Sequence, residues 1–275
     1  MKKILITGAN GFIGSSLLRQ LSLKYQVFGA SRTNNKNIEN WLFLDLSDKS
    51  GVNNFFKQNK FDVIIHLAAI MANTSNVNDL NVLKENLDIH TNLAEALAEY
   101  NDSHFINFSS SAVYPNISGL FKEIDEINPS VNPDRLYGLS KFTGEMVFKS
   151  SLSSHISQLH LRIGFVYGEG MNLSRIHPVF KAELLSHNHI TVFGNGLRMI
   201  PQIEIKSLCQ KVIFFIENGT KGTFNVADEN ISLKSLAERT IIKYGNEKSS
   251  IVYKPEGNAQ EFKLDLQKLN NLFNV

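Results

Sequence analysis

A single cysteine, Cys209, leaves the chain with no possible internal disulfide, and no Cys/His cluster offers metal-ligand spacing. No segment is apolar for long enough to span a bilayer, and the run after Met1-Lys-Lys stops at three apolar residues, short of a signal-peptide core. Charge of one sign is lacking as well. Lysine and arginine number 28 against 26 acidic residues, and no basic run is interleaved with aromatics, so no nucleic-acid partner is expected. Neither an internal repeat nor a low-complexity linker is present. What remains is ordinary globular composition, 43% hydrophobic and 20% charged, over 275 residues. That length can bury a sizeable core as one large domain or two lobes. A reducing, cytoplasmic location without membrane association is the expectation, with Cys209 a core thiol on a helix.

The most informative stretch is Ile4-Leu-Ile-Thr-Gly-Ala-Asn-Gly-Phe-Ile-Gly14. Ile4 to Ile6 read as a buried strand, and Ile13, Leu17 and Leu21 recur at helical spacing. Gly8, Gly11 and Gly14 therefore sit at a strand-to-helix turn, where peptide N–H groups and the helix N-terminus can meet a phosphate. The three glycines suit a tight turn, close approach to a pyrophosphate, and close helix–strand packing. Their spacing is G-x-x-G-x-x-G rather than the general G-x-G-x-x-G fingerprint.

Short apolar runs then alternate with helical stretches, the signature of an α/β chain. Strands are expected at Lys3–Thr7, Gln26–Ala30, Trp41–Leu44, Val63–Leu67, Phe105–Ser109 and Gln158–Ile163, with crossover helices between them. Asp79 to Tyr100 reads as a helix with two apolar stripes, one through Leu80, Leu83 and Leu87, the other through Val82, Ile89 and Leu93. A helix apolar on two faces is buried on both, within the monomer or against a second subunit, so a homodimer is expected. After Gly164 the alternation fades. Helices are expected over Arg175–Ser186, Leu208–Ile216 and Leu233–Tyr244, strands at Ile190–Phe193 and Thr223–Val226, and a turn at Gly194-Asn-Gly196.

Two further motifs carry chemistry. Tyr137-Gly-Leu-Ser-Lys141 follows Pro133 and Asp134, which suit a helix start. Positions i and i+4 share a face, and an ammonium beside a phenol lowers its ordinary pKa of about 10. Such a tyrosine can exchange a proton with a substrate oxygen. The run Phe108-Ser-Ser-Ser-Ala-Val-Tyr114 follows an expected strand, which places its hydroxyls at the carboxyl edge of the sheet. One of them can hydrogen-bond a reacting oxygen. Of the histidines, His66 and His160 lie in expected strands. His66 is read as structural, and His177 as a capping or surface residue within reach of a sugar.

Thr7-Gly-Ala-Asn-Gly-Phe-Ile-Gly14, Ser109-Ser-Ser-Ala-Val-Tyr114 and Tyr137-x-x-x-Lys141 together resemble the extended short-chain dehydrogenase/reductase family, of the nucleotide-sugar epimerase, dehydratase and reductase type. Asp62-Val-Ile-Ile-His-Leu-Ala-Ala69 and Leu161-Arg-Ile-Gly-Phe-Val-Tyr-Gly168 add to the likeness. The resemblance is dense through residue 168 and thinner to about residue 226. It implies a Rossmann-type doubly wound parallel sheet with a smaller, discontinuous C-terminal substrate lobe. The dinucleotide domain would span 1–165, with 200–226 returning to it, and the substrate lobe 166–199 and 227–275.

Carried over residue by residue, the resemblance makes Tyr137 the general acid/base and gives Lys141 the nicotinamide ribose. It selects Ser110 over Ser109 and Ser111 as the catalytic hydroxyl. Gly8, Gly11, Phe12, Ile13 and Gly14 would hold the cofactor pyrophosphate. Asp45 and Leu46 would lie beside the adenine, and Leu67, Ala68 and Ala69 below the pyrophosphate. Asn86 corresponds either to an active-site asparagine or to a polar interruption of its helix. Arg198, in Gly194-x-Gly-x-Arg198, would contact the diphosphate of a nucleotide-sugar substrate, as a planar bidentate donor suits phosphate. Substrate contacts would thus fall on Ser110, Tyr137 and Arg198, with no metal.

Three departures from the family pattern shape the functional expectation. Where NAD-preferring members have an acidic residue after the second strand, this chain has Ser31-Arg32, and an arginine there suits the 2′-phosphate of NADPH. Ser111-Ala112 replaces the Asp-Glu pair of the dehydratases. The usual Arg-Asp-x-x-x-Val-Asp-Asp segment is degraded to Arg198-Met-Ile-Pro-Gln-Ile-Glu-Ile205. The expected enzyme is an NADPH-dependent reductase of a nucleotide-activated 4-keto-6-deoxy sugar. The alternatives are a nucleotide-sugar 4-epimerase with tightly bound NAD and a non-catalytic NADP-binding regulator.

Overall fold

An apolar run of Ile4, Leu5 and Ile6 has no amphipathic alternation to favour one exposed face, so it belongs in the middle of a sheet covered on both sides. A computed structural model, which describes residues 1–33, 40–98, 100 and 102–273, places it there. All three side chains are fully buried in β1 (Lys3–Thr7). The chain continues through α1 (Phe12–Leu21), β2 (Gln26–Ser31), β3 (Trp41–Phe43), α2 (Lys49–Gln58), β4 (Val63–His66), α3 (Leu80–Ala98) and β5 (His104–Ser110). After β6 (Gly119–Phe121) come α4 (Arg135–Ser151) and β7 (Ser157–Ile163). Then follow β8 (Phe165–Tyr167), α5 (Ile176–His187), β9 (His189–Phe193), β10 (Met199–Glu204), α6 (Ile205–Asn218) and β11 (Gly222–Val226). The chain closes with β12 (Glu229–Ser232), α7 (Leu233–Tyr244), β13 (Ser250–Lys254), β14 (Phe262–Leu264) and α8 (Gln267–Phe273).

The residues divide into two compact units, each described by itself. The first comprises 1–115, 124–163 and 206–224, and the second 116–123, 164–205 and 225–275. In the first, seven strands form one sheet in the order β11-β7-β5-β4-β1-β2-β3. The pairs from β7 across to β3 are all parallel. This is the Rossmann-type doubly wound sheet, whose order reverses between β1 and β4. Ligands of such sheets bind outside the carboxyl ends of the strands at that switch point. One apolar layer joins Leu5 and Ile64 of the sheet to Val52 and Phe56 of α2 and to Ile89, Leu93 and Leu97 of α3. Cys209 is buried on α6.

The six expected strands and the long helix all form, with ends displaced by one or two residues; residue 99 lies outside the described residues. Only one of the two stripes on α3 is fully covered. Val82, Ile89 and Leu93 are buried, whereas Leu80 is 70% exposed. The helix start expected at Pro133-Asp134 forms: Asp134 is the N-cap of α4, though its side chain makes no capping bond. The short strands β6, β8, β10, β12, β13 and β14 have no counterpart among the sequence expectations.

The second unit holds β8, β10 and β12 as one small sheet, and the parallel pairs β9–β13 and β6–β14. Its core packs Phe180 and Leu184 of α5 against Ile190, Val192, Leu233 and Leu236. No helix among the described residues is long and apolar enough to cross a membrane.

Candidate active site

The turn after β1 is shaped by what its glycines exclude. Gly8 has φ +70°, and a Cβ there would fall 2.8 Å from the Ala68 backbone nitrogen. A Cβ on Gly14 would fall 2.4 Å from the Gly8 carbonyl oxygen. Neither position accepts a side chain, so β1, α1 and the 67–69 segment meet closely. Gly11 is different: it is the N-cap of α1, and a Cβ would meet only the Gly8 oxygen, at 3.3 Å. The first helical bond runs from Ser15 N–H to Gly11 C=O, so the N–H groups of Phe12, Ile13 and Gly14 precede it. An unfilled helix start with three forward N–H groups fits an anionic pyrophosphate.

Beside this turn, Gly8 and Ala9 N–H donate to the Ala30 carbonyl at the end of β2. Ser31 is buried and its hydroxyl donates to the Thr33 carbonyl, 2.7 Å away. Asn10 Nδ2 donates to Thr33 Oγ1, which ties the glycine turn to the β2 turn. Arg32 is exposed. Burial pushes the Asp45 carboxyl up, but the Ser47 hydroxyl and N–H, helped by the Arg32 charge, hold it below its ordinary value. Leu46 packs into the core, with its carbonyl accepting from Asn92 Nδ2. Leu67, Ala68 and Ala69 are half-buried just past β4. Asn86 fastens the next residue: its Oδ1 accepts from Ile70 N–H, and its Nδ2 donates to the Ile70 carbonyl and to Ser140 Oγ. The polar residue within α3 is thus a buried clamp between this loop and α4.

The three serines after β5 have different surroundings. Ser109 is 4% exposed and donates to Glu145 Oε1 at 2.6 Å. Ser110 is half-buried and accepts from Ala112 N–H at 3.1 Å, capping a 3-10 turn over 111–113. Accepting that bond leaves the Ser110 hydroxyl proton available to donate. Asn132 Nδ2 donates to the Ala112 and Tyr114 carbonyls and so fixes the same turn. Helix α4 comes unusually close to it, because a Cβ on Gly138 would lie 2.3 Å from the Ala112 carbonyl oxygen. Gly138 therefore sets the approach of Tyr137 to the serine turn.

Tyr137 and Lys141 lie one turn apart on the buried face of α4, 7% and 3% exposed. The Lys141 ammonium is 5.8 Å from the centre of the Tyr137 ring and donates to the Phe108 carbonyl at 2.9 Å. Burial pulls its pKa down to about 8, with the charge of Glu145 opposing the fall. Continuing along this face, Glu145 is 1% exposed and receives both Nε and Nη2 of Arg162, each at 3.0 Å. Burial alone would raise the Glu145 carboxyl, but Arg162 and Ser109 hold it below its usual range. Arg162 also donates to the Tyr114 hydroxyl at 2.7 Å. The structure thus gathers the glycine turn, Asn86, Ser110, Tyr137 and Lys141 in one unit, and adds Asn132, Gly138, Glu145 and Arg162. A charged residue inside the apolar strand Leu159–Ile163 was the available sequence signal for the last of these.

His66 and His90 are buried and bonded to each other, with His66 also bonded to Thr7. Burial holds His66 well below its ordinary value and His90 down to about 3. His160 bonds Asn107 and Gln158. In the second unit, His177 stacks on Tyr167 at 4.2 Å and bonds Gln202, so it is neither a cap nor a free surface group. Arg198 lies in that unit as well. With Ile176, Phe180, Phe193 and Leu233 it lines an apolar pocket of about 180 Å³.

This arrangement has counterparts. The family model described as "NAD dependent epimerase/dehydratase family" matches residues 4–227, more than half of the chain. The chain belongs to that family. It is accordingly an NAD(P)-dependent enzyme of the extended short-chain dehydrogenase/reductase type. It is similar to the dTDP-4-dehydro-6-deoxy-D-allose reductase of a Streptomyces species, at 27% identity over 86% of this chain and 79% of the relative. The GDP-L-colitose synthase of Yersinia pseudotuberculosis is 30% identical over 88% of this chain and 79% of its own. Among solved structures, the UDP-glucose 4-epimerase of Thermotoga maritima with UDP-glucose shares the fold, with a TM-score of 0.79 at 23% identity, covering 98% of this chain and 91% of that one.

Proposed function

We propose that this enzyme is an NADPH-dependent reductase of a nucleotide-activated keto-sugar, of the 4-keto-6-deoxy class. The observation that carries the reading is the charge at the end of β2. Ser31 turns inward, Arg32 is exposed, and residues 31–33 include no carboxylate to receive a ribose 2′-hydroxyl. A guanidinium there matches a 2′-phosphate. A relative acting on a dTDP-4-dehydro-6-deoxy sugar supports the substrate class. Ser111-Ala112, in place of paired acids, supports reduction over dehydration.

When bound, the nicotinamide supplies the hydride for the keto carbon. The chain's own residues hold the reacting oxygen and move its proton. The Ser110 hydroxyl donates a hydrogen bond to the carbonyl oxygen, and Tyr137 delivers the proton to it. Lys141 stabilises the phenolate left behind and binds the nicotinamide ribose. Phe12, Ile13 and Gly14 N–H groups receive the pyrophosphate. Asp45 and Leu46 flank the adenine, and Leu67, Ala68 and Ala69 lie beneath the diphosphate. Arg198 takes the substrate's diphosphate. A homodimer would cover the outer faces of α3 and α4, where Leu80, Leu139 and Met146 are 70%, 38% and 49% exposed. Light scattering of wild type and Met146→Glu tests that assembly.

The test of function is to denature the purified protein and identify any released nicotinamide nucleotide, then titrate NADPH and NADH into the cofactor-free form. Empty protein that prefers NADPH supports the reductase. Stoichiometric bound NAD favours the 4-epimerase and makes Arg32 an ordinary surface residue.

A further inference from the structure

The α4 face that carries Tyr137 and Lys141 ends in an unbalanced set of buried charges. Lys141 and Arg162 are both cationic and 3% exposed, while Glu145 is the one buried carboxylate among the described residues, at 1%. Lys149 also reaches Glu145, at 3.3 Å, but is 42% exposed and stays hydrated. Both Glu145 oxygens are committed to Arg162, and Oε1 also accepts from Ser109. Lys141 holds the carbonyl of Phe108, the residue before Ser109. The ammonium and the carboxylate therefore grip successive residues of β5, whose last residue is Ser110.

We propose that Glu145 is a positioning residue, which keeps Lys141 charged from one helical turn away on the same buried face and, through Ser109, fixes the strand end that presents Ser110. The proposal rests on the reading of Tyr137, Lys141 and Ser110 given above. Its physical basis is that burial drives an ammonium towards its neutral form, and a neighbouring negative charge opposes that loss. With the carboxylate gone, burial favours the neutral amine of Lys141 still further. The remaining groups that face Lys141 cannot substitute. His66 on β4 and His90 on α3 are held neutral by burial. Phe108 and Ser109 of β5 offer a carbonyl and a hydroxyl, and Tyr137 is its neighbour on α4. Among the described residues, Glu145 is the carboxylate whose charge acts on Lys141.

The test is a carbon-13 NMR titration of protein labelled at lysine, with the Lys141 resonance assigned by its loss in Lys141→Met. In wild type it titrates near 8. In Glu145→Gln the midpoint falls by about 1 to 3 pH units, and Glu145→Asp restores most of the drop. Glu145→Gln/Arg162→Met leaves no buried guanidinium without its carboxylate, and its Lys141 midpoint stays lowered as in the single variant. This double variant also serves if the single one fails to fold. NADPH affinity provides a second readout: Glu145→Gln weakens it at pH 7.5 and much less at pH 6, whereas a merely structural defect weakens it equally at both. An unchanged Lys141 midpoint in folded Glu145→Gln or in the double variant overturns the proposal. Should wild type fail to bind NADPH, the functional reading fails, while the NMR titration still decides the role of Glu145.

Discussion

Replacing Lys141 by Met should make the chain more stable while removing its activity. Burial lowers the lysine from an ordinary value of 10.5 to about 8. At ~1.4 kcal/mol for each tenfold change, holding the charge inside costs about 3 kcal/mol at neutral pH. Methionine keeps an unbranched side chain but leaves the Phe108 carbonyl without its donor, a loss of about 1 kcal/mol. A net gain of about 2 kcal/mol is expected at pH 7. The sign of the pH dependence follows from the lowered value. Below about 8 both folded and unfolded chains hold the proton, and the penalty is complete. Between about 8 and 10.5 the unfolded chain binds a proton that the folded chain has released, so wild-type stability climbs relative to the variant. Urea unfolding of cofactor-free wild type and Lys141→Met, at intervals from pH 7 to pH 10.5, measures the difference. It should close across that range and end slightly in favour of wild type, whose neutral amine still donates to Phe108. A variant no more stable than wild type at pH 7, or a difference independent of pH, would falsify the claim that this buried charge is kept for function at the expense of stability.

The two adjacent serines should separate cleanly. Ser110→Ala should lower kcat by about a hundredfold or more with little change in cofactor affinity. Ser109→Ala, which strips a donor from the buried Glu145, should instead lower the unfolding free energy by about 1 to 2 kcal/mol with a far smaller kcat effect. The reverse pattern would reassign the catalytic hydroxyl. Gly138→Ala puts a methyl against the Ala112 backbone, and should destabilise by about 1 to 3 kcal/mol and depress kcat, since α4 must move away from the serine turn; normal activity would show that this close approach is dispensable. Asn86→Ala strips the buried partners from both backbone groups of Ile70 and should cost about 2 to 3 kcal/mol in thermal or urea unfolding.

The glycine turn, the alternation of strands and helices, and the Tyr137–Lys141 spacing were legible in the sequence because each depends on neighbours within about one helical turn or one strand. Glycine's freedom to take a positive φ at Gly8 and a shared helix face at i and i+4 are local consequences of covalent geometry. The family resemblance added Ser110, which local chemistry does not distinguish from Ser109 or Ser111. What separates those serines physically is Glu145, brought under Ser109 by the packing of α4 on β5. Tertiary structure likewise gave Asn86 its role as a clamp, made Gly138 the point of closest approach, and paired Glu145 with Arg162 of β7. The strands β6 and β14 form for the same reason. Each has three residues with no periodic signal, and their hydrogen bonds exist only because a distant segment supplies the other side of the ladder. Local sequence can specify a turn or a helix face, but a buried charge or a short strand is stable only next to its partner, and only the folded chain brings that partner near.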